Sequence, residues 1–165
     1  MTEAPATLAD LDGLPVAGVG LGHPDTAAAE HWLASLRPAP LLACTHLVRE
    51  PRPQVAWTLV FAAGEEPPGL PPLEVDREGG RAVIFPGSES LTGDLTVAEI
   101  RSRSAIGRVE VLGGGEADDA AIVRTGDFVR PLWRDGTLVL VTTPAVGGLL
   151  VPFETRNPTP CCAAH

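Results

Sequence analysis

Phe128-Val-Arg-Pro-Leu-Trp133, Arg134-Asp135-Gly136 and Thr137-Leu-Val-Leu-Val-Thr142 form one continuous stretch of this chain. Two runs of β-forming residues flank a dipeptide, Asp135-Gly136, that tolerates positive φ. The pattern predicts an antiparallel hairpin. It decides the fold, because a helix in either run would remove the basis for a mostly β reading.

Outward from this hairpin, strands dominate. Leu41 to Val48 and Val55 to Ala62 read as strands, and Leu149 to Glu154 reads as the last one. Leu73 to Asp76 and Arg81 to Phe85 flank Glu78-Gly79-Gly80 as a second hairpin. Leu95 to Ser102 and Gly107 to Leu112 read as further strands, separated from the main hairpin by the acidic loop Gly113 to Asp119. One helix is expected, capped by Asp25 or Thr26 and stopped by Pro38, with Trp32, Leu33 and Leu36 on its apolar side. Trp32 should pack on the sheet, and Trp57 should be buried. The predicted class is α+β, mostly antiparallel β: a small barrel or curved sheet with one packed helix. Residues 1–22 are expected as a loose N-terminal arm, within which Leu14 to Leu21 reads as a short strand or docked segment. Residues 23–156 are expected as a single β-rich domain, and 157–165 as a Pro-rich C-terminal tail.

An internal echo links Leu91-Thr92-Gly93-Asp94-Leu95-Thr96-Val97 with Val123-Arg124-Thr125-Gly126-Asp127-Phe128-Val129. A Gly-Asp pair before a strand permits a tight turn and lets the carboxylate bond neighbouring amides. The echo resembles the Gly-Asp box of cradle-loop barrels and implies a duplicated barrel.

Composition excludes several functions. The chain has 165 residues, a net charge of −9 and no lysine. Without lysine there is no P-loop of the usual kind, no Schiff base and no Ser-Lys dyad. The acidic balance disfavours nucleic acid and anionic membranes as partners. No apolar run approaches the ~18 residues of a membrane span, and the first residues lack the pattern of a signal peptide. The cytoplasm is the expected compartment, where three cysteines do not make a disulfide framework.

Those cysteines carry the sharpest chemical signal. Cys44-Thr45-His46 and Cys161-Cys162-Ala163-Ala164-His165 hold all three, each with a histidine. Thiolate and imidazole suit borderline and soft metals. Cys44 and His46 lie two apart, so a regular strand projects them to one face. Cys162 and His165 can converge through a turn. The expected metal ligands are Cys44, His46, Cys161, Cys162 and His165, with zinc as the expected cofactor and a [2Fe–2S] cluster as the alternative. Cys-x-His followed by Cys-x-x-His resembles the ligand pattern of Rieske clusters, and Cys44-Thr45-His46-Leu47 matches their usual first box. Most of the chain separates the two boxes, and the Gly and Pro residues that shape Rieske loops are missing, so the family is not assigned.

No catalytic set stands out. His23 and His31 lack a partner motif, the serines sit in no nucleophile elbow, and the carboxylate pairs Glu65-Glu66 and Asp118-Asp119 read as solvated loops. The leading expectation is a small accessory protein, not an enzyme, that binds metal or presents thiols through its Cys/His set. The alternative is a β-barrel that binds a small molecule or a partner protein, with Arg130, Trp133 and Arg134 on its recognition face. A third is a recognition domain carrying a modifiable Cys-Cys tail.

Overall fold

The computed structural model describes residues 8–155. Its elements run β1 (Val16–His23), α1 (Thr26–Ser35), β2 (Leu42–Val48), β3 (Gln54–Val60), β4 (Arg81–Ile84), β5 (Asp94–Thr96), α2 (Val97–Arg103), β6 (Ile106–Val111), β7 (Gly115–Glu116), β8 (Ile122–Arg124), β9 (Leu132–Arg134), β10 (Thr137–Pro144) and β11 (Leu150–Pro152). The fold is α+β and mostly sheet. Strand order is β1-β3-β2-β4-β9-β10-β11-β8-β5, with β6 on β10 and β7 on β6, and the path does not close on itself. All pairings are antiparallel except β10 with β6 and β11 with β8. Neither helix is long and apolar enough to cross a membrane.

The decisive hairpin forms. Arg134 faces Thr137 and Leu138 faces Trp133 across a two-residue turn. Asp135 and Gly136 sit at φ 50° and 77°, the left-handed pair that a twisted two-residue hairpin requires. Its first strand begins only at Leu132. Pro131 has no N–H to give to a ladder, although its carbonyl accepts from Ala82 at 2.8 Å.

Strands β2 and β3 are buried on both faces, so the sheet is sandwiched between two cores. Alternation divides their side chains. Leu42, Cys44 and Val60 join Phe85, Ile100, Ile106, Leu138 and Leu140 on one side. Ala43, Val55, Trp57 and Leu59 join Val19, Ala29 and Leu33 of α1 on the other. Asp25 caps α1, its carboxylate accepting from the Ala28 amide at 2.8 Å. Trp32 reaches down from α1 to the fully buried Trp57, with ring centroids 6.2 Å apart. Both tryptophans therefore lie where the apolar patterning placed them.

Three expectations are corrected. Leu95 to Ser102 is not one strand: β5 ends at Thr96 and α2 begins at Val97. Thr96 and Glu99 close a reciprocal capping box, with Glu99 N donating to Thr96 Oγ1 at 3.1 Å. That local device outweighs the strand-like look of Val97 and Ile100, so the described residues hold two α-helices rather than one. Second, Leu73–Asp76 does not pair with Arg81–Phe85. Leu73 is committed elsewhere, its amide bonding Gly18 O at 2.9 Å, and β4 pairs with β2 and β9 instead. Gly18 permits that approach, since a Cβ there would collide with the Leu73 carbonyl. The Pro71–Leu73 segment thus covers the outer edge of β1 and blunts it against further strand pairing. Third, within residues 1–22 it is the strand reading of Leu14 to Leu21, rather than the loose arm, that describes the chain from Val16 on. Val16–His23 is paired to β3, and Val19 is 1% exposed.

The two Gly-Asp turns meet in space. Gly93 N donates to Asp127 Oδ1 at 2.9 Å, and Thr125 donates its hydroxyl to Gly93 O at 2.7 Å. Beyond the turns the two segments diverge: the first runs into β5 and α2, the second into an irregular stretch that ends at β9.

Candidate functional site

Cys44 and His46 share one face of β2, as their spacing predicts. That face is packed interior. Cys44 is 3% exposed and His46 9%. With Leu42, Thr58, Arg77 and Trp133 they surround a gap that has no room for a water molecule. His46 Nε2 lies 2.8 Å from Thr58 Oγ1. Burial pushes the Cys44 thiol up to about 12, against a smaller opposing effect of Arg77. Burial likewise holds His46 below its ordinary value, with Asp76 opposing and Arg77 adding to the shift. A thiol held protonated is a poor metal ligand and a poor nucleophile. Cys161, Cys162 and His165 lie outside the described residues. Among the described residues no group of three or more His, Cys, Asp and Glu side chains is arranged to hold a metal. His23 leans on Trp32 at 5.7 Å between ring centroids, and His31 is exposed on α1.

The open site lies on the other side of the hairpin. Val139 pairs with Leu132 of β9, and Thr142 pairs with Pro152 of β11. β6 occupies the opposite edge of β10 along both stretches, since Val139 and Thr142 also pair with Arg108 and Val111. β9 and β11 therefore share one edge of β10, one after the other, and part at Leu140 and Val141. β9 leads to β4 and β11 leads to β8, so the sheet forks here. A groove of about 1160 Å³ fills the fork. Leu132, Val141, Pro152 and Phe153 line it, and Thr26, Ala27 and Glu30 of α1 face it. Leu112 and Phe153 stand at its lip, 56% and 62% exposed. The volume is slightly above the usual range for small-molecule sites, as an open groove gives.

A charged cluster sits at one end. Glu30 accepts from Arg81 Nη1 at 3.0 Å and from Arg130 Nη2 at 2.7 Å. Arg81 Nε donates to Glu154. The Arg130 guanidinium lies 4.0 Å from the centroid of Phe128, and that of Arg81 lies 5.9 Å from the same ring. Burial pushes the Glu30 carboxyl up, but the hydrogen bonds and charges of Arg130 and Arg81 outweigh it and hold Glu30 below its ordinary value. The carboxylate therefore stays ionised at neutral pH and fixes both guanidiniums. Arg134, farther out, bonds Glu110 at 2.9 Å. Three arginines and two glutamates line the groove, and with Glu110 on Arg134 each guanidinium has a carboxylate partner.

Of the recognition residues expected from the sequence, Arg130 and Arg134 line this groove. Trp133, between them in phase, points to the packed side beneath Arg77, 5.8 Å from the ring centroid. Arg81 and Glu30 carried no signal of their own. Glu30 reads as an ordinary residue of an early helical turn, and 51 positions separate it from Arg81.

No protein-family model, curated protein or solved structure matches this chain.

Proposed function

We propose that this protein is a ligand-binding module that works through the groove at the fork of its sheet. The observation that carries this reading is the groove itself. It is apolar along its length, charged at one end, and built on strands of a rigid sheet. Its arginines are pre-oriented by Glu30, so a ligand that meets them loses little entropy in ordering them. The test is a two-dimensional NMR screen of small amphipathic molecules against isotope-labelled protein. Shifts clustered on Leu112, Phe128, Leu132, Arg134, Val141 and Phe153 are expected. Shifts clustered around Cys44, His46 and Trp133, with none in the fork, would contradict it.

A second reading keeps the metal. Cys161, Cys162 and His165 would bind zinc, or less favourably a [2Fe–2S] cluster, or would present thiols for modification. The burial of Cys44 and the Thr58 contact of His46 shift this reading from a joint four-ligand site to the tail alone. Metal analysis of a Cys161→Ser, Cys162→Ser variant tests it: stoichiometric metal should disappear. The same proposal includes the cytoplasm as the working compartment, consistent with the free thiol of Cys44. A duplicated barrel ancestry stays with it as well, supported by the mutual hydrogen bonds of the two Gly-Asp turns.

A further inference from the structure

We infer that the groove takes a small amphipathic monocarboxylate, whose head group replaces the Glu154 carboxylate on Arg81 and whose apolar body lies along the fork between Leu132, Val141 and Phe153. This rests on the groove being the binding site and names the chemistry it selects.

The two carboxylates at the arginine cluster are not equivalent. Glu30 is held by two guanidiniums from the middle of α1, with its side chain 24% exposed. Glu154 meets Arg81 alone, with its side chain 38% exposed, and lies two residues beyond the last paired residue of β11. Glu30 is thus a fixed part of the wall. Glu154 is a carboxylate from the groove's own rim, resting where a ligand carboxylate would sit. Exchange of one for the other keeps Arg81 paired and releases Glu154 to water, so no buried charge is stranded at any stage. A planar carboxylate also suits the fork of a guanidinium.

Charge counting sets the head group. Arg81 and Arg130 bring two positive charges, and Glu30 brings one negative charge. One monoanion balances the cluster. A phosphate dianion would leave an excess negative charge against a protein that is already acidic. A neutral head group competes poorly with Glu154, because it would leave Arg81 Nε without an anionic partner while Nη1 alone stays on Glu30. The rest of the ligand is set by the apolar rim. Leu112 and Phe153 flank β10, with Leu112 N bonded to Thr142 O at 2.8 Å and Phe153 N to Val141 O at 2.9 Å. Both are large, exposed and fixed by backbone bonds, which fits an apolar chain lying between them.

The test compares decanoate, 1-decanol and decyl phosphate on the whole chain, reading affinity and location from NMR shifts. Decanoate should bind in the fork at least about fivefold more tightly than the other two, the expected reward for a charge-assisted, partly desolvated pair. Glu154→Gln should tighten decanoate by about threefold, the scale of a half-exposed ion pair, and leave 1-decanol unchanged. Phe153→Ser should weaken all three. An unchanged melting temperature for both variants shows that the fold is intact. Equal binding of decanoate and 1-decanol in the fork would overturn the carboxylate subsite and leave the groove reading standing. Unaltered or weaker decanoate binding by Glu154→Gln would overturn the displacement. No shift in the fork with any probe would overturn both this inference and the groove reading.

Discussion

Leu132 and Arg134 turn to the open groove, whereas Trp133, between them, turns to the packed gap that holds Cys44 and His46. One short strand thus separates two regions of opposite character. On the packed side, a thiol and an imidazole are close together, but the gap they line has no room for a ligand and the thiol is kept protonated. On the groove side, the residue types are ordinary, but there is volume, access and a fixed pair of arginines. The contrast teaches that donor chemistry makes a site only where desolvation has not already consumed it. Cys44 behaves as a small core hydrophobe. Arg81 and Arg130, largely sheltered and bridged by Glu30, still border the open groove.

The largest effects should come from the packed side and should be effects on stability. Leu42→Ala, at a residue 2% exposed, should cost about 3 kcal/mol in chemical denaturation, the usual cost of a cavity in a core. A loss under about 1 kcal/mol would mean that this region is looser than its packing. Next comes Glu30→Ala, which leaves two partly sheltered guanidiniums facing each other. It should cost about 2 kcal/mol, below the cost for a fully buried pair because water still reaches the cluster. A neutral result would show that Glu30 does not hold the arginines together.

A smaller effect comes from His46. Its pKa lies below the ordinary 6.5 because of burial. Above 6.5 the folded and unfolded states are both neutral and stability does not depend on this group. Below 6.5 the unfolded chain takes up a proton that folded His46 refuses, so stability falls as pH drops toward the folded value. His23, also lowered by burial, acts in the same direction. Stability measured from about pH 7.5 to about pH 5 should therefore decline, and His46→Gln should flatten part of that decline. The smallest effect is on the rim. Phe153→Ser, at a residue 62% exposed, should change stability by less than about 0.5 kcal/mol. A larger loss would make Phe153 part of the core rather than a lip of the groove.

The hairpin across Asp135-Gly136 was legible because turn chemistry and alternation agree there. β2 and β3 were legible as mostly apolar, β-forming runs, interrupted only by Thr45, His46 and Thr58. α2 was not, although Thr96-x-x-Glu99 carries its capping signature. Seven residues are too few for a helical period to show, and Val97 and Ile100 look like strand residues. Edge pairing was equally opaque: nothing local says that Leu73 bonds Gly18 rather than the strand after the next turn. For the site, the spacing of Cys44 and His46 gave their shared face but not its depth, which depends on Trp133 and Arg77 arriving from elsewhere. Arg130 and Arg134 were visible beside the hairpin. Arg81 and Glu30 were not, because their meeting is a product of the fold alone.

The measurement that bears most directly on the contrast titrates decanoate into Phe153→Asp and Cys44→Ala in parallel with the unaltered chain. Phe153→Asp should lose binding, since it places a negative charge where the apolar body of the ligand lies. Cys44→Ala should bind as the unaltered chain does. Loss of binding in Cys44→Ala with retention in Phe153→Asp would contradict the account and return the site to the packed side of the hairpin.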